Sequence, residues 1–514
     1  MTTQWGIKYA VHIISTHFGD LAARVCECLL RRGPLSKHNI VRFAETPLKQ
    51  VHVCLLLLIQ QNIVQAYIVE DTGGMDDVVK QTTQYMVLFD NIIHRTRFPK
   101  FMTVVAQELD KGCTELFQSL LQHGRLTVEK MIQIQESSYG EESVRENLAK
   151  LVHAHFVERC PAVEPLLVPP SEEELAAKKR SRSAKVAAEP DIMERVIDAA
   201  APMESKRFLI IRDDITIDSE MADDGSANVG EKRKRSFLAS NSELGIKEEV
   251  LWRANYEEFL HRFKHNACVE DVRQRVDDSA AIALSAMLES SRRMESKVKS
   301  RTSVPVPINA IYEEVMKDEA GRSMTLDDLR EYLEHLKCDR GANDSYSIDL
   351  KSILELAQNE EVESIVLKRY GEDSHRIFRL LSKADHLLET SKISKMVFVD
   401  QKETPNILYK LWKDKYIHME KVTVVGSQQC EFLLWKVNKS ALWKNILDDM
   451  YHASLNVSLR VVHEMEQGSE LLSLPPEKRE GPLLVKLERL RNIKRVLEES
   501  LRKLDDSMML FHDF

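Results

Sequence analysis

The chain has 514 residues, a formal net charge of −9, and 43% hydrophobic and 30% charged residues. That length allows three to four domains at roughly 150 residues each, and the acidic balance excludes a polycationic nucleic-acid binder. No apolar run approaches the roughly 18 residues of a membrane span, Met1-Thr2-Thr3-Gln4-Trp5 lacks a signal-peptide pattern, and eight scattered cysteines without Cys-x-x-Cys argue for reduced, buried thiols rather than a zinc site.

Trp5 to Phe18 reads as an amphipathic helix, with Ile7, Val11, Ile14 and Phe18 on one face. Asp20 to Arg32 is a second helix, ended by Gly33-Pro34, and Lys37 to Ala44 a third. Pro47 suits the first turn of a fourth, followed by a β-branched strand at Ile63 to Val69, a turn at Asp71-Thr72-Gly73-Gly74 and a returning strand at Gln84 to Phe89. Helices followed by a hairpin are the order of a winged helix-turn-helix. The helix-then-strand phrase recurs: Leu55, Leu58, Ile63 and Val64 match Leu148, Leu151, Phe156 and Val157, and again Leu408, Leu411, Tyr416 and Ile417. Leu329, Tyr332 and Leu333 suggest a further copy, whose strand is spoiled by Lys337-Cys338.

The second copy has helices at Phe101–Leu109 and Thr114–Gln122, a middle helix opening at Leu126-Thr127, a helix at Glu141–His155 and a strand at Phe156–Cys160. Its wing does not close promptly. Residues 161–247 are polar, with Pro169-Pro170 and basic runs at Lys178-Lys179-Arg180-Ser181-Arg182 and Lys232-Arg233-Lys234-Arg235. They read as a disordered insertion, with a strand candidate at Phe208 to Ile211. The third copy opens at Leu251-Trp252 with two long helices, reaching Phe263 and then Met294. It continues with helices at Ile308–Met316 and Thr325–Lys337, a strand at Tyr346–Asp349 and a connecting helix at Leu350–Tyr370. The fourth has helices at Arg376–Leu381, Thr390–Val397 and Thr404–Lys415, then a hairpin of Tyr416–Val424 with Glu431–Val437.

In the tail, Leu442, Ile446, Met450, Ala453, Val457 and Val461 step by three or four, as do Leu487, Leu490, Ile493, Leu497, Leu501, Leu504, Met508 and Phe511. Gly468, Pro475-Pro476 and Gly481-Pro482 separate the two runs, the pattern of an antiparallel coiled-coil hairpin. The expected fold is mainly α with small β-hairpins. It has four tandem extended winged helices at residues 1–90, 91–250, 251–371 and 372–438, and the coiled coil at 439–514.

Four stretches give the chain a family likeness. They are Arg97-Phe98-Pro99-Lys100-Phe101, His155-Phe156-Val157-Glu158-Arg159-Cys160-Pro161, Trp252-Arg253-Ala254-Asn255 with Phe259 and Phe263, and Arg376-Ile377-Phe378-Arg379-Leu380-Leu381. In this order, with the tail, the sequence resembles the third-largest subunit of RNA polymerase III. The resemblance implies a nuclear, noncatalytic subunit packed on the clamp of the largest subunit beside two smaller initiation-subcomplex subunits. It also implies a role in promoter recruitment, DNA opening and transcription of small untranslated RNA genes.

The residues temper a DNA-reading view. Leu48 to Asn62 offers only Lys49 and His52, and Glu141, Glu142 and Glu146 face Arg145 and Lys150 in the second copy, so protein packing is the default reading for both. The fourth copy carries Lys402, Lys410, Lys413 and Lys415, candidates for DNA contact without sequence preference, against a solvated face as the bland alternative. Lys232, Arg233, Lys234 and Arg235 form a candidate nuclear import signal. Leu497, Leu501, Leu504, Met508 and Phe511 form a candidate docking seam. No catalytic, cofactor or metal constellation is expected: Cys26-x-Cys28 cannot share a helix face, and no Gly-x-Ser-x-Gly, phosphate loop or His-Glu-x-x-His occurs. The competing reading is a cullin-like or proteasome-lid-like winged-helix scaffold. An independent transcription factor would want a basic recognition helix, which is lacking.

Overall fold

The computed structural model describes residues 3–71, 80–135, 140–167, 192–210, 250–295, 298–384, 386–425, 429–473, 475 and 481–514. The chain divides into two compact units, residues 20–256 and residues 1–19 with 257–514.

In the first unit, helices Asp20–Arg32, Lys37–Ala44 and Leu48–Gln60 lead into strand Val64–Asp71 (β2), which pairs antiparallel with Lys80–Val87 (β3) from Val64↔Val87 onward. Leu35–Ser36 (β1) extends the sheet on the far edge of β3. The returning strand begins and ends earlier than Gln84 to Phe89, because Phe89 starts a short helix, Phe89–His94. Of the expected turn, all but Asp71 lies outside the described residues. Helices Phe98–Glu108, Lys111–His123, Val128–Gln135 and Glu141–His153 follow, then strand Val157–Arg159 (β4). Gly124, at φ +80°, abuts the end of helix Leu48–Gln60; a Cβ there would stand 2.1 Å from the carbonyl oxygen of Gln60. Beside it Gln61 Nε2 donates to Gln122 O, and Arg125 Nε donates to Asn62 Oδ1 at 2.8 Å.

Two expectations for this unit are corrected. The wing of β4 does close: Trp252–Ala254 (β6) pairs antiparallel with it, Glu158 opposite Arg253, so Leu251-Trp252 completes the second copy instead of opening the third. The insertion is also partly ordered. Leu166–Leu167 (β5) pairs parallel with Ile68–Val69, and Ile192–Ala200 and Glu204–Arg207 are helical. Val196 is fully buried against Tyr67 and Met86, with Met193 and Leu167 alongside, so a short apolar stripe in a polar segment finds cover on the first sheet. Phe208 forms no strand but stacks on His155 at 4.1 Å between ring centroids, and Arg159 donates to the Leu209 carbonyl. Both basic runs, including Lys232-Arg233-Lys234-Arg235, lie outside the described residues.

In the second unit, helix Gln4–Phe18, which sequence order had placed in the first copy, packs along the tail helix Lys439–Gln467. Trp5 stacks on His452 at 3.7 Å, and the Trp5 amide donates to Asp448 Oδ1 at 2.9 Å. The two long helices are Tyr256–Arg275 and Asp278–Ser291; the chain breaks at Val276-Asp277, not at Phe263, because Asp277 Oδ1 caps the Ala280 amide. Helices Ile308–Val315 and Leu326–His335 precede a three-stranded sheet in the order Val306–Pro307 (β7), Ser345–Ser347 (β9), Asp339–Arg340 (β8). After helix Leu350–Tyr370 come helices Glu372–Lys383, Thr390–Val397 and Thr404–Lys413. Hairpin His418–Val425 (β11) with Gln429–Lys436 (β12) follows, edged by Leu388–Glu389 (β10). Helices Lys439–Gln467 and Pro482–His512 run antiparallel: Tyr451 faces His512, Ser454 Oγ lies 3.8 Å from Met508 Sδ, and Gly468 abuts Leu490.

One backbone corner occurs four times. Asn62, His155, Lys337 and Lys415 all adopt positive φ, between 57° and 63°, where a helix gives way to a strand. At each, the next amide reaches five residues back: Ile63 to Leu58, Phe156 to Leu151, Cys338 to Leu333 and Tyr416 to Leu411, at 2.9–3.0 Å. This is the Schellman closure, which sets an apolar residue just past the helix against one in its last turn. The repeated Leu…Ile, Leu…Phe and Leu…Tyr spacing in the sequence is that pair. Cys338, expected to spoil the third copy, takes the same place and packs on its core.

Candidate interaction surfaces

The helix Thr404–Lys413 buries Thr404, Leu408 and Leu411 and turns its other side to water. Lys402, Lys410, Lys413 and Lys415 are all exposed, as expected, and none has an ion-pair partner among the described residues. Asp414 forms no ion pair with them; its carboxylate accepts from the Tyr370 hydroxyl. Tyr409 and Trp412 share this side, their rings 5.7 Å apart, and Phe398, at φ 58°, is 93% exposed. Lysines interleaved with exposed rings can grip a phosphate backbone and stack on bases without reading sequence. The rings were not singled out from sequence; helical spacing from buried Leu408 would have placed Tyr409 and Trp412 outward.

The other third helices differ in kind. Leu48–Gln60 exposes Leu48, Val53 and Leu56, an apolar face suited to protein. In Glu141–His153, Arg145 is paired with Glu141, and Lys150 with both Asp110 and Glu146, so its cations are already neutralised.

The expected docking seam is split. Leu497, Leu501, Leu504 and Phe511 are half-buried, but Met508 and Met509 are buried. The C-terminal turn folds back: Leu510 and Phe514 pack on the third copy's core, Gln358 Nε2 donates to Leu510 O at 2.7 Å, and Ser507 Oγ donates to Glu361. The cluster expected to be an open contact surface is therefore used internally. Exposed apolar side chains lie instead in the first half of the same helix, at Leu484, Val485 and Val496, beside Ile493 and Leu497.

The described cysteines form no disulfide. Burial pushes the thiols of Cys26, Cys268 and Cys338 up to about 12 and that of Cys160 to about 11, which leaves them unreactive near neutral pH. No helix among the described residues is long and apolar enough to cross a membrane.

Residues 146–357 match the family model of RNA polymerase III subunit RPC82, residues 8–68 that subunit's helix-turn-helix domain, and residues 362–436 the C-terminal winged-helix domain of POLR3C. The chain belongs to the RPC82 family. Similar proteins include DNA-directed RNA polymerase III subunit RPC3 of Bos taurus, 25% identical, and of Homo sapiens, 23% identical, each aligned over 91% of this chain and 86% of its own length. The Dictyostelium discoideum subunit rpc3 is 20% identical, over 90% of this chain and 92% of its own.

Three of the four family stretches meet in space, which explains their residue types. Arg253 and Arg207 both bond Glu158, which is 3% exposed, and Asn255 Nδ2 donates to the His155 carbonyl. Tyr256 stands on Phe98 and Phe101, with ring centroids 5.9 and 5.8 Å away. Their work is to close the second wing across the insertion.

Proposed function

We propose that the chain is a noncatalytic, architectural subunit of RNA polymerase III, acting in the nucleus during promoter recruitment and DNA opening. The observation that carries this reading is collinear similarity to polymerase III subunits over nine-tenths of the chain. The four repeated helix-to-strand corners support four tandem winged helices, and the antiparallel tail helices support a coiled-coil hairpin. In this reading the fourth winged helix touches DNA without sequence preference through Lys402, Lys410, Lys413 and Lys415. The apolar stripe at Leu484, Val485, Val496 and Leu497 docks on the large polymerase subunits, and the apolar faces of the other copies meet the two smaller subunits of the initiation subcomplex.

Affinity purification of the tagged full chain, followed by mass spectrometry, tests this. The whole polymerase III should accompany the wild type, and Val485→Asp with Val496→Asp should lose the enzyme core while keeping wild-type circular dichroism. Recovery of a cullin or proteasome-lid assembly instead would establish the scaffold alternative.

A further inference from the structure

His261 and His265 stand one helical turn apart on the same face of helix Tyr256–Arg275. Glu295 reaches them from the loop that follows helix Asp278–Ser291 and its short 3-10 extension. All three side chains are at least nine-tenths buried. Oε2 of Glu295 lies 3.2 Å from Nδ1 of His261 and 3.2 Å from Nε2 of His265, and the three ligand atoms lie within 4.8 Å of one another. Ligands about 2.0–2.1 Å from a tetrahedral zinc ion stand about 3.3–3.4 Å apart, so the two carboxylate–imidazole spacings match edges of that polyhedron.

Hydrogen bonding alone does not satisfy the cluster. His265 is placed to bond Glu295, but Nδ1 of His261, despite its proximity, is not aligned to donate. Oε1 of Glu295 also has no hydrogen-bond partner among the described residues. Lys264, 1% exposed, donates from Nζ to the carbonyls of Val298 and Ser300, just beyond Glu295.

We propose that His261, His265 and Glu295 bind a zinc-class divalent cation, with water at the fourth position. Two imidazoles and one carboxylate form a borderline donor set suited to zinc rather than to calcium or magnesium. The ion fastens the loop after helix Asp278–Ser291 to helix Tyr256–Arg275, a structural role that does not depend on which complex the chain joins. His-x-x-x-His was passed over in the sequence because its third ligand lies 30 residues downstream.

The test is metal analysis of the full-length chain, expressed with zinc and gel-filtered after mild chelation, together with cobalt substitution. About one zinc per chain is expected, and Co2+ should give the visible d–d absorption of a tetrahedral nitrogen–oxygen site. His261→Asn with His265→Asn should lose the ion, while added zinc should raise the thermal transition of the wild type only. Glu295→Gln, which keeps the side chain's shape, should bind more weakly. A folded wild type holding no zinc and showing no cobalt spectrum would overturn the proposal and leave a hydrogen-bonded triad. Unchanged zinc content in the double variant, or a thiolate-to-cobalt charge-transfer band, would place the ion elsewhere and overturn it equally. The cobalt measurement uses the wild type, so it decides the matter even if the variants fail to fold.

Discussion

None of the four helix-to-strand corners has glycine at its left-handed position, and that makes their energetics separable. At Lys337 the side chain is exposed and φ is 57°. A non-glycine residue in this region costs roughly 1–2 kcal/mol, and glycine returns about 0.5–1 kcal/mol of that through its looser unfolded chain. Lys337→Gly should therefore stabilise its corner by about 0.5–1 kcal/mol. Asn62→Gly should do the opposite. Asn62 Oδ1 accepts from Nε of Arg125, which is 4% exposed, and a lost hydrogen bond to a buried charged group costs about 1.5–3 kcal/mol, a net loss of about 1–2. Amide hydrogen exchange reads each corner locally, through the Cys338 amide bonded to Leu333 O and the Ile63 amide bonded to Leu58 O. Protection at Cys338 should rise roughly two- to fivefold in Lys337→Gly, and protection at Ile63 should fall in Asn62→Gly. A fall at Cys338 would refute the argument that backbone strain, unrelieved by side-chain bonding, sits at that corner.

Glu158→Gln, which leaves Arg207 and Arg253 without their shared anion, should cost about 2–3 kcal/mol, less than the 3–5 of a fully buried pair because both arginines are about one-fifth exposed. Limited proteolysis should then cut first within residues 192–210, and unchanged resistance would count against this anchoring. Lys410→Ala and Lys413→Ala should each lower the salt dependence of DNA binding by about one unit of slope, equally for every sequence, and unaltered slopes would remove these lysines from the interface. An alkylating reagent at pH 8 should leave Cys26 and Cys268 unmodified in the native chain, since thiols pushed up to about 12 carry almost no thiolate there; rapid labelling by mass spectrometry would contradict that burial.

The parts legible in the sequence are those fixed by neighbours along the chain. Leu58 with Ile63, and Leu411 with Tyr416, sit five residues apart because a helix cap requires it, so the repeat could be read directly. The return strand at Trp252–Ala254 could not, since Arg253 meets Glu158 across 95 residues and no turn signal links them. Val196 was missed because two buried residues, Val196 and Ala200, on a short helix make too weak a stripe to stand out from a polar segment. The four lysines of the last winged copy are as exposed as charge patterning suggested. The Met508 cluster was misjudged because an apolar turn at a chain end reads the same whether it faces a partner or its own core.

The pairing of helix Gln4–Phe18 with the tail has a consequence for how the protein is made. The Trp5 amide and its Asp448 acceptor are separated by 443 residues. At roughly 5–20 residues per second, a ribosome needs roughly 20–90 s to travel that distance. Throughout that interval the face that the first helix turns to the tail lacks that cover. The opening segment is therefore a natural client for a chaperone at the tunnel exit until helix Lys439–Gln467 emerges to cover it.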